Sequence, residues 1–183
     1  YKKNKTPLMV HENFRWQSPL LKLKEVIKKE KLIKPHYAKI SFRHANPVGY
    51  TNQTYLYDLN EYLTLDVGIH LFDLSRFFMG EALSIYTVNQ NTNPKFKGET
   101  DFISLIRNIN KSITIVDASI SSIKQPDRFA QTLINLEFSN GSIDLDYNYK
   151  ITLHKNKKKK IYDGKPKKYK WISKPWDQIQ ESV

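Results

Sequence analysis

The second half of the chain is predicted to consist of β-strands joined by short turns, and this limits the fold more than any other feature. Asn140-Gly141 is typical of a two-residue hairpin turn, and Asp163-Gly164 indicates a second hairpin. Such short connections join antiparallel strands. The strands themselves are indicated by alternating or continuously apolar stretches at residues 83–89, 101–107, 112–122, 129–138 and 142–153.

Two helices are predicted before these strands. Ser18-Pro19 suits the start of the first helix, because Ser can cap free backbone amides and Pro fits the first helical position. The apolar periodicity extends this helix to about Glu30. The second helix is predicted over residues 66–80, with Gly80 as its end. The other early segments are a strand entering a loop at residues 7–14, a half-buried strand at residues 37–43 and a long loop at residues 44–63.

This order of elements predicts an α+β fold. Helices followed by a run of antiparallel strands are typical of one open, mostly antiparallel β-sheet with helices packed on one face. A chain of 183 residues is long enough for one domain with its own core, so residues 1–183 are interpreted as a single domain. The other face of the sheet is predicted to carry Ser, Thr, Asn, Lys and Tyr side chains, and is available to solvent, a substrate or a partner.

The net charge of +12 is compatible with nucleic-acid binding, but the distribution of that charge argues against it. Only five of the 30 basic residues are arginine, which phosphate-clamping and base-reading surfaces favour. Many lysines instead lie in one C-terminal patch, which is interpreted as a solvated hairpin. The patch contains Lys155, Lys157, Lys158, Lys159, Lys160, Lys165, Lys167, Lys168 and Lys170.

The absence of cysteine excludes disulfides and thiolate metal sites, and it fits a cytoplasmic protein. No apolar run approaches the ~20 residues needed to span a bilayer. No secretory leader pattern opens the chain either. We therefore expect a soluble, cytoplasmic protein that does not engage a membrane.

The segment Leu65–Asp73 contains the strongest candidate for chemistry. On a helix, Asp66, His70 and Asp73 would lie on one face, within a run that is otherwise apolar enough for a core. An imidazole beside a carboxylate is a positioned proton acceptor. Two other interpretations remain open. One is an Asp N-cap followed by a structurally hydrogen-bonded His, and the other is a metal site, which would need further ligands from elsewhere. We expect the chain to bind no metal ion.

Five segments occur in order along the chain, and together they resemble the C-terminal domain of the Gfo/Idh/MocA oxidoreductase family. The most specific part is the pattern Asp-x-Gly-x-His-x-x-Asp at Asp66–Asp73. The resemblance extends from about Leu8 to about His154. The five segments are Val10–Gln17, Ile40–His44, Gln53–Leu56, Leu65–Glu81 and Lys97–Thr100.

The resemblance implies roles for individual residues. Family members join an N-terminal Rossmann domain, which binds NAD or NADP, to a C-terminal α+β domain that covers the substrate and often mediates oligomerisation. By this resemblance His70 is the general base. It takes the hydroxyl proton of a sugar, inositol or related polyol while a hydride goes to the nicotinamide, and Asp66 orients or assists it. Weaker substrate-binding candidates are Asn13, Arg15, Trp16, Asp73 and Arg43.

The sequence lacks the family's dinucleotide-binding motifs. It contains no Gly-x-Gly-x-x-Gly and no phosphate loop, and the family's Glu-Lys-Pro segment would lie upstream of Tyr1. We also expect the final helix that is usual in the family to be absent after the lysine-rich hairpin. We therefore expect NAD or NADP to bind a Rossmann domain supplied in cis or in trans, and the 183 residues alone to be inactive.

Two other functions remain as alternatives, because one fold can host many functions. The first is a non-catalytic sheet domain for self-association or partner binding, as in a truncated or split oxidoreductase. The second, less favoured, is a basic nucleic-acid-binding module. In the preferred interpretation the partners are a sugar or polyol substrate, the Rossmann domain and further copies of this chain.

Overall fold

A computed structural model of the chain describes residue 4 and residues 12–44, 53–123 and 132–166. Several predictions from the sequence fall wholly or partly outside these ranges. They concern the first predicted strand up to residue 11, the long loop at residues 45–52, the start of the strand at residues 129–131, and Lys167, Lys168 and Lys170.

The described strands form one eight-stranded sheet. In order across the sheet they run β2-β3-β4-β1-β5-β6-β7-β8, and every neighbouring pair is antiparallel except β1 and β4. The predicted α+β class, with an open and mostly antiparallel sheet, is confirmed. The strands are β1 (Pro35–Arg43), β2 (Ala82–Gln90), β3 (Asp101–Asn108), β4 (Ile113–Ser119), β5 (Leu133–Phe138), β6 (Gly141–Leu145), β7 (Lys150–Lys155) and β8 (Lys158–Asp163).

The predicted strand at residues 142–153 is two strands. A turn at Asp146–Tyr149 separates β6 from β7, and Tyr149 takes a φ of 61°. The Asp146 carboxylate accepts the backbone N–H groups of Asn148, at 2.8 Å, and Lys150, at 3.0 Å. Side-chain bonding of Asp to amides two residues on is a standard way to form a turn. The alternation of Tyr147 and Tyr149 with polar residues concealed this turn.

The two predicted hairpins have different outcomes. The hairpin at Asn140-Gly141 is confirmed, although its turn is Ser139-Asn140 and Gly141 already belongs to β6. The turn of the lysine-rich hairpin is Asn156-Lys157, with φ values of 52° and 59°. The turn predicted at Asp163-Gly164 is wrong, because Asp163 pairs with Lys150 at the end of β8 and Gly164 follows the strand. Two consecutive positive φ values are the requirement of a type I′ hairpin turn, which Lys seldom meets.

Two helices pack on one face of the sheet. Helix α1 (Ser18–Lys29) begins after Gln17, which is its N-cap residue, so Ser18 is not the predicted cap. Helix α2 (Ile69–Met79) packs on β1 and β4, and it ends at Gly80, whose φ of 92° suits glycine. The core between helices and sheet contains Leu20, Leu23, Val26, Ala38, Ile40, Phe42, Leu71, Leu74, Val116 and Ala118.

No helix among the described residues covers the opposite face of the sheet, which we call the uncovered face and which is more apolar than the sequence indicated. The polar residues of β1, Lys39 and Arg43, lie on it because they alternate with buried Ile40 and Phe42. At the β2 side of this face, large apolar residues are half exposed. We call these the apolar strip: Tyr86, Val88, Ile103, Leu105 and Ile113.

The helical segment that leads into α2 has its first backbone amides hydrogen-bonded to the carboxylate of Glu99. One oxygen accepts the N–H of Tyr62 at 3.1 Å, and the other accepts the N–H of Thr64 at 2.8 Å. The first amides of a helix have no partner within it, so Glu99 satisfies them from another segment. Gly98 permits this approach, because a Cβ there would lie 2.7 Å from the Leu59 carbonyl oxygen.

The same contacts determine the ionisation of Glu99. Burial opposes the charged form, but hydrogen bonds from the Thr64 hydroxyl and from the Thr64 and Tyr62 amides outweigh it, so the pKa of Glu99 lies below its ordinary value. The carboxylate therefore contributes to stability only while it is ionised.

We expect Glu99→Gln to lower the free energy of unfolding by about 1–2 kcal/mol near neutral pH, because it removes the charge from an acceptor of two amides. The folded-state pKa is lower than the unfolded-state pKa. The contribution of the carboxylate is therefore present above the unfolded pKa and is lost as the pH falls through the folded pKa. Urea denaturation of wild type and variant should show a difference that narrows as the pH is lowered.

The matched control is Glu25→Gln. Its carboxylate pairs with Lys22 on the exposed side of α1, and its loss should change the free energy of unfolding by less than ~0.5 kcal/mol. A difference between wild type and Glu99→Gln that stays constant across the pH range would contradict the role given to the carboxylate.

Candidate active site

The candidate residues lie on a helix whose first turn is wide. Residues Thr64–Gly68 form a π-helical turn that continues directly into α2, so the regular helix predicted from Asp66 begins irregularly. Single π turns within α-helices occur frequently at functional sites. Gly68 fits closely in this turn, because a Cβ there would lie 3.1 Å from the ring of Phe102. Asp66 is half-buried in the π turn, one turn before His70.

The imidazole of His70 is held by two side chains from the segment before α1. Its Nδ1 is hydrogen-bonded to Oε1 of Glu12, and both side chains are 18% exposed. The Phe14 ring stacks on the imidazole, with centroids 4.1 Å apart and planes 6° from parallel. His70 is therefore held by two neighbouring side chains and remains 18% exposed.

Arg15 and Asp73 form a second polar contact between the same two segments. Arg15 donates from Nε to Asp73 Oδ2 at 2.6 Å and from Nη2 to the other carboxylate oxygen. Asp73 is only 9% exposed, so this two-point contact neutralises a nearly buried charge. Glu12 thus pairs with His70, and Arg15 pairs with Asp73. The segment that contains Glu12 and Arg15 therefore lies along α2.

The other candidates near this helix are Asn13 and Trp16. Trp16 is 39% exposed, whereas Asn13 is half-buried. The side-chain oxygen of Asn13 is buried and has no hydrogen-bond partner among the residues that the structure describes. A buried acceptor without a partner costs free energy, so this oxygen of Asn13, next to Glu12 in the sequence, is energetically unfavourable as it stands.

The structure does not bring Arg43 to His70. Arg43 lies on the uncovered face of the sheet, opposite to the helices, and donates to Asp117 at 2.5 Å. Two depressions of about 350 and 290 Å³ adjoin this ion pair on that face. The predicted substrate-binding residues therefore divide into a group around α2 and an isolated Arg43.

Glu12 is the site residue that the sequence did not single out. It stands within the segment Val10–Gln17 that carries part of the family resemblance, but its partner His70 is 58 positions away. No spacing rule connects residues so far apart. The structure also shows that Arg15 and Asp73 contact each other, which the sequence predicted only as two separate candidates.

The described part of the chain contains neither a metal-binding group of side chains nor a membrane-spanning helix. Within residues 12–44, 53–123 and 132–166, no group of three or more His, Asp or Glu side chains is arranged to hold a metal ion. No helix in these ranges is long and apolar enough to cross a membrane.

Comparison with known proteins identifies the relatives of this chain. A family model described as the GFO/IDH/MocA C-terminal domain matches residues 20–143. D-apiose dehydrogenase from Rhizobium rhizogenes is 35% identical over 177 residues, which are 97% of this chain and 51% of that protein. D-apiose dehydrogenase from Paraburkholderia graminis is 30% identical over 97% of this chain and 47% of that protein. The chain thus spans about half the length of the curated relatives it matches.

Solved structures share the fold. An oxidoreductase from Agrobacterium radiobacter, crystallised with NAD+, L-tartaric acid and magnesium, is 34% identical, with a TM-score of 0.90 over 99% of this chain and 53% of its own. Levoglucosan dehydrogenase in complex with NADH and levoglucosan is 14% identical, with a TM-score of 0.75 over 95% of this chain and 54% of its own. At that identity the second likeness concerns the fold alone.

The Arg15–Asp73 contact should contribute measurably to stability. In a double-mutant cycle with Arg15→Met and Asp73→Asn, we expect a coupling free energy of about 1–3 kcal/mol, because Arg15→Met alone leaves a nearly buried carboxylate unpaired. The matched cycle on the exposed pair Lys22 and Glu25 should give about 0–0.5 kcal/mol. Urea denaturation measures both cycles, and equal coupling energies would show that burial adds nothing to the Arg15–Asp73 pair.

Proposed function

The chain belongs to the GFO/IDH/MocA family, and from that we propose that it is the substrate-binding domain of an NAD(P)-dependent dehydrogenase. The reaction we propose is oxidation of a CH–OH group of a sugar or related polyol. The observation that carries the proposal is the imidazole of His70, which is held in place on α2. This helix also bears Asp73 and continues directly from the π turn that contains Asp66. Function on this fold depends on the site, and this site offers a proton acceptor.

His70 performs the proton transfer in this proposal. Its imidazole accepts the proton of the substrate hydroxyl during oxidation and returns a proton during reduction. Asp66 assists from the preceding turn. The unpartnered oxygen of Asn13 supports a place for it on the substrate side, with Trp16 beside it as exposed aromatic surface.

The residues of this chain do not fit a dinucleotide site. The sequence contains no Gly-x-Gly-x-x-Gly, whose close backbone approach to the pyrophosphate is the basis of dinucleotide binding. We therefore assign NAD or NADP to a Rossmann domain, in cis or in trans, and expect the 183 residues alone to be inactive. No step of hydride transfer is assigned to the residues of this chain.

D-apiose is the first substrate to test. Two relatives that are 35% and 30% identical are named D-apiose dehydrogenases, and both cover almost the whole of this chain. A sugar fits a site with one proton acceptor and several polar side chains around it. We place the reaction in the cytoplasm, as the cysteine-free sequence suggests.

Replacement of His70 tests the proposed function. In a protein that joins this chain to its dinucleotide-binding domain, we expect His70→Ala to lower kcat for sugar oxidation by about 10²–10⁴-fold, since general-base catalysis contributes that much. The measurement is NAD(P)H formation with D-apiose and a panel of polyols. His154→Ala is the matched control, because His154 is exposed on β7 and should leave kcat unchanged.

The alternative of a non-catalytic sheet domain makes the opposite prediction. Under that alternative His70→Ala leaves the activity of the joined protein unchanged, or no sugar is oxidised by the wild type. Either result, obtained with a folded protein that binds the dinucleotide, would overturn the proposed role of His70.

We also propose that the uncovered face of the sheet joins copies of the chain into a homo-oligomer. The apolar strip supports this, because its residues are 45–70% exposed and are contiguous across β2, β3 and β4. Contiguous exposed apolar surface on a sheet is typical of an interaction site. Leu105 lies at the centre of the strip, with Tyr86 and Ile115 as its cross-strand neighbours.

A charge at the centre of the apolar strip should separate the copies. We expect wild type to sediment as a dimer or larger species and Leu105→Lys to sediment as a monomer, because an unpaired buried charge is costly at an interface. Ile33→Lys is the matched control, since Ile33 is 53% exposed outside the sheet. A monomeric wild type, or equal masses for wild type and Leu105→Lys, would contradict this assembly.

A further inference from the structure

We propose that Glu12 is a positioning residue for the reaction, and that it fixes the orientation and tautomer of His70 so that Nε2 exchanges the proton with the substrate. This inference rests on the proposed function and deepens it. It gives Glu12 an orienting role, whereas the family resemblance implies that Asp66 orients or assists His70.

The hydrogen bond itself determines which nitrogen carries the proton. The contact joins Nδ1 of His70 to Oε1 of Glu12, and an ionised carboxylate can only accept. The Nδ1 atom of a neutral imidazole must therefore carry the hydrogen. The lone pair is then on Nε2, which is the nitrogen free of Glu12.

A second constraint acts on the face of the imidazole ring. Phe14 stacks on it at 4.1 Å and is itself only 4% exposed, so the ring cannot tilt without disturbing the core. The hydrogen bond to Glu12 meanwhile restrains rotation of the ring within its plane. Both constraints come from the segment before α1, because Glu12 and Phe14 are two positions apart in it.

Glu12 is the carboxylate that the structure shows hydrogen-bonded to the imidazole of His70. Arg15, from the same segment, is engaged at two points by Asp73, so the two acidic residues on either side of this contact have different partners. Asp66 lies in the preceding π turn. Glu12 is therefore bonded to the imidazole rather than to the neighbouring guanidinium.

The arrangement suits a proton acceptor. As the substrate CH–OH group is oxidised to a carbonyl, its O–H bond breaks and an N–H bond forms at Nε2. The C–H bond of the same carbon breaks as well, and its hydride would be accepted by the nicotinamide dinucleotide of the proposed function. The imidazolium that results carries a positive charge. The carboxylate of Glu12, bonded to Nδ1, stabilises that charge, as carboxylates bonded to catalytic histidines do.

Ring ¹⁵N NMR of the full 183-residue chain tests the tautomer without any enzymatic activity. We expect the neutral form of His70 in the wild type to be protonated at Nδ1. In Glu12→Leu we expect the Nε2-protonated form to increase, whereas the matched control Glu25→Leu should leave the His70 signals unchanged. The spectrum of His70→Gln assigns the signals.

The wild-type spectrum decides the inference even if Glu12→Leu fails to fold. A neutral His70 protonated at Nε2 in the wild type would overturn it. So would a folded Glu12→Leu with an unchanged tautomer, because Glu12 would then only attach its segment to the helix.

Kinetics of the joined, dinucleotide-bound protein separate positioning from a merely structural role. We expect Glu12→Leu to lower kcat by roughly 10- to 100-fold with little change in KM, the range seen when the outer partner of a functional His in metal sites is removed. Glu12→Asp should recover part of kcat. Unchanged kcat in Glu12→Leu, with His70→Ala inactive, would overturn this inference alone. Full activity of His70→Ala would overturn the proposed function itself, whatever the NMR result.

Discussion

The attachment of one short segment to helix α2 is the interaction on which the candidate site depends. The pairs Glu12–His70 and Arg15–Asp73 are each separated by 58 positions and are offset by three residues on both segments. Three residues are close to one helical turn, so both pairs form along one face of α2. Without this attachment the imidazole would lose its hydrogen bond and its stacking partner together. The packing of the His70 ring and its orientation therefore depend on the same few contacts.

Much of the fold could be predicted from the sequence because alternation and turn chemistry are local. The alternation of Ala38, Ile40 and Phe42 with polar residues identified β1, and the Asn140-Gly141 pair located the hairpin between β5 and β6. Prediction failed where a turn used an unexpected residue. Lys157 and Tyr149 both take positive φ values that the sequence does not indicate. The resulting errors concern the ends of strands and leave the architecture unchanged.

The candidate site could be predicted only in part, for a physical reason. His70 stands out because it has acidic residues at helical spacing, and that signal is local. Glu12 carries no such signal, since its hydrogen bond to His70 forms only when two distant segments meet. The support of the helix start by Glu99 is similar, because the amides it accepts lie 35 and 37 positions away. Long-range polar contacts of this kind need the tertiary structure.

The two edges of the described sheet differ in charge. Strand β8 is an edge strand, and Lys158, Lys159 and Lys160 lie along it. Lysines on an edge strand discourage pairing with another chain. Lys160 is also anchored, because it donates to the carboxylate of Glu30 at 3.0 Å, and the Tyr162 hydroxyl donates to the same carboxylate. The opposite edge strand, β2, carries Tyr86 and Val88 of the apolar strip instead, so the two edges of the described sheet present a charged surface and an apolar one.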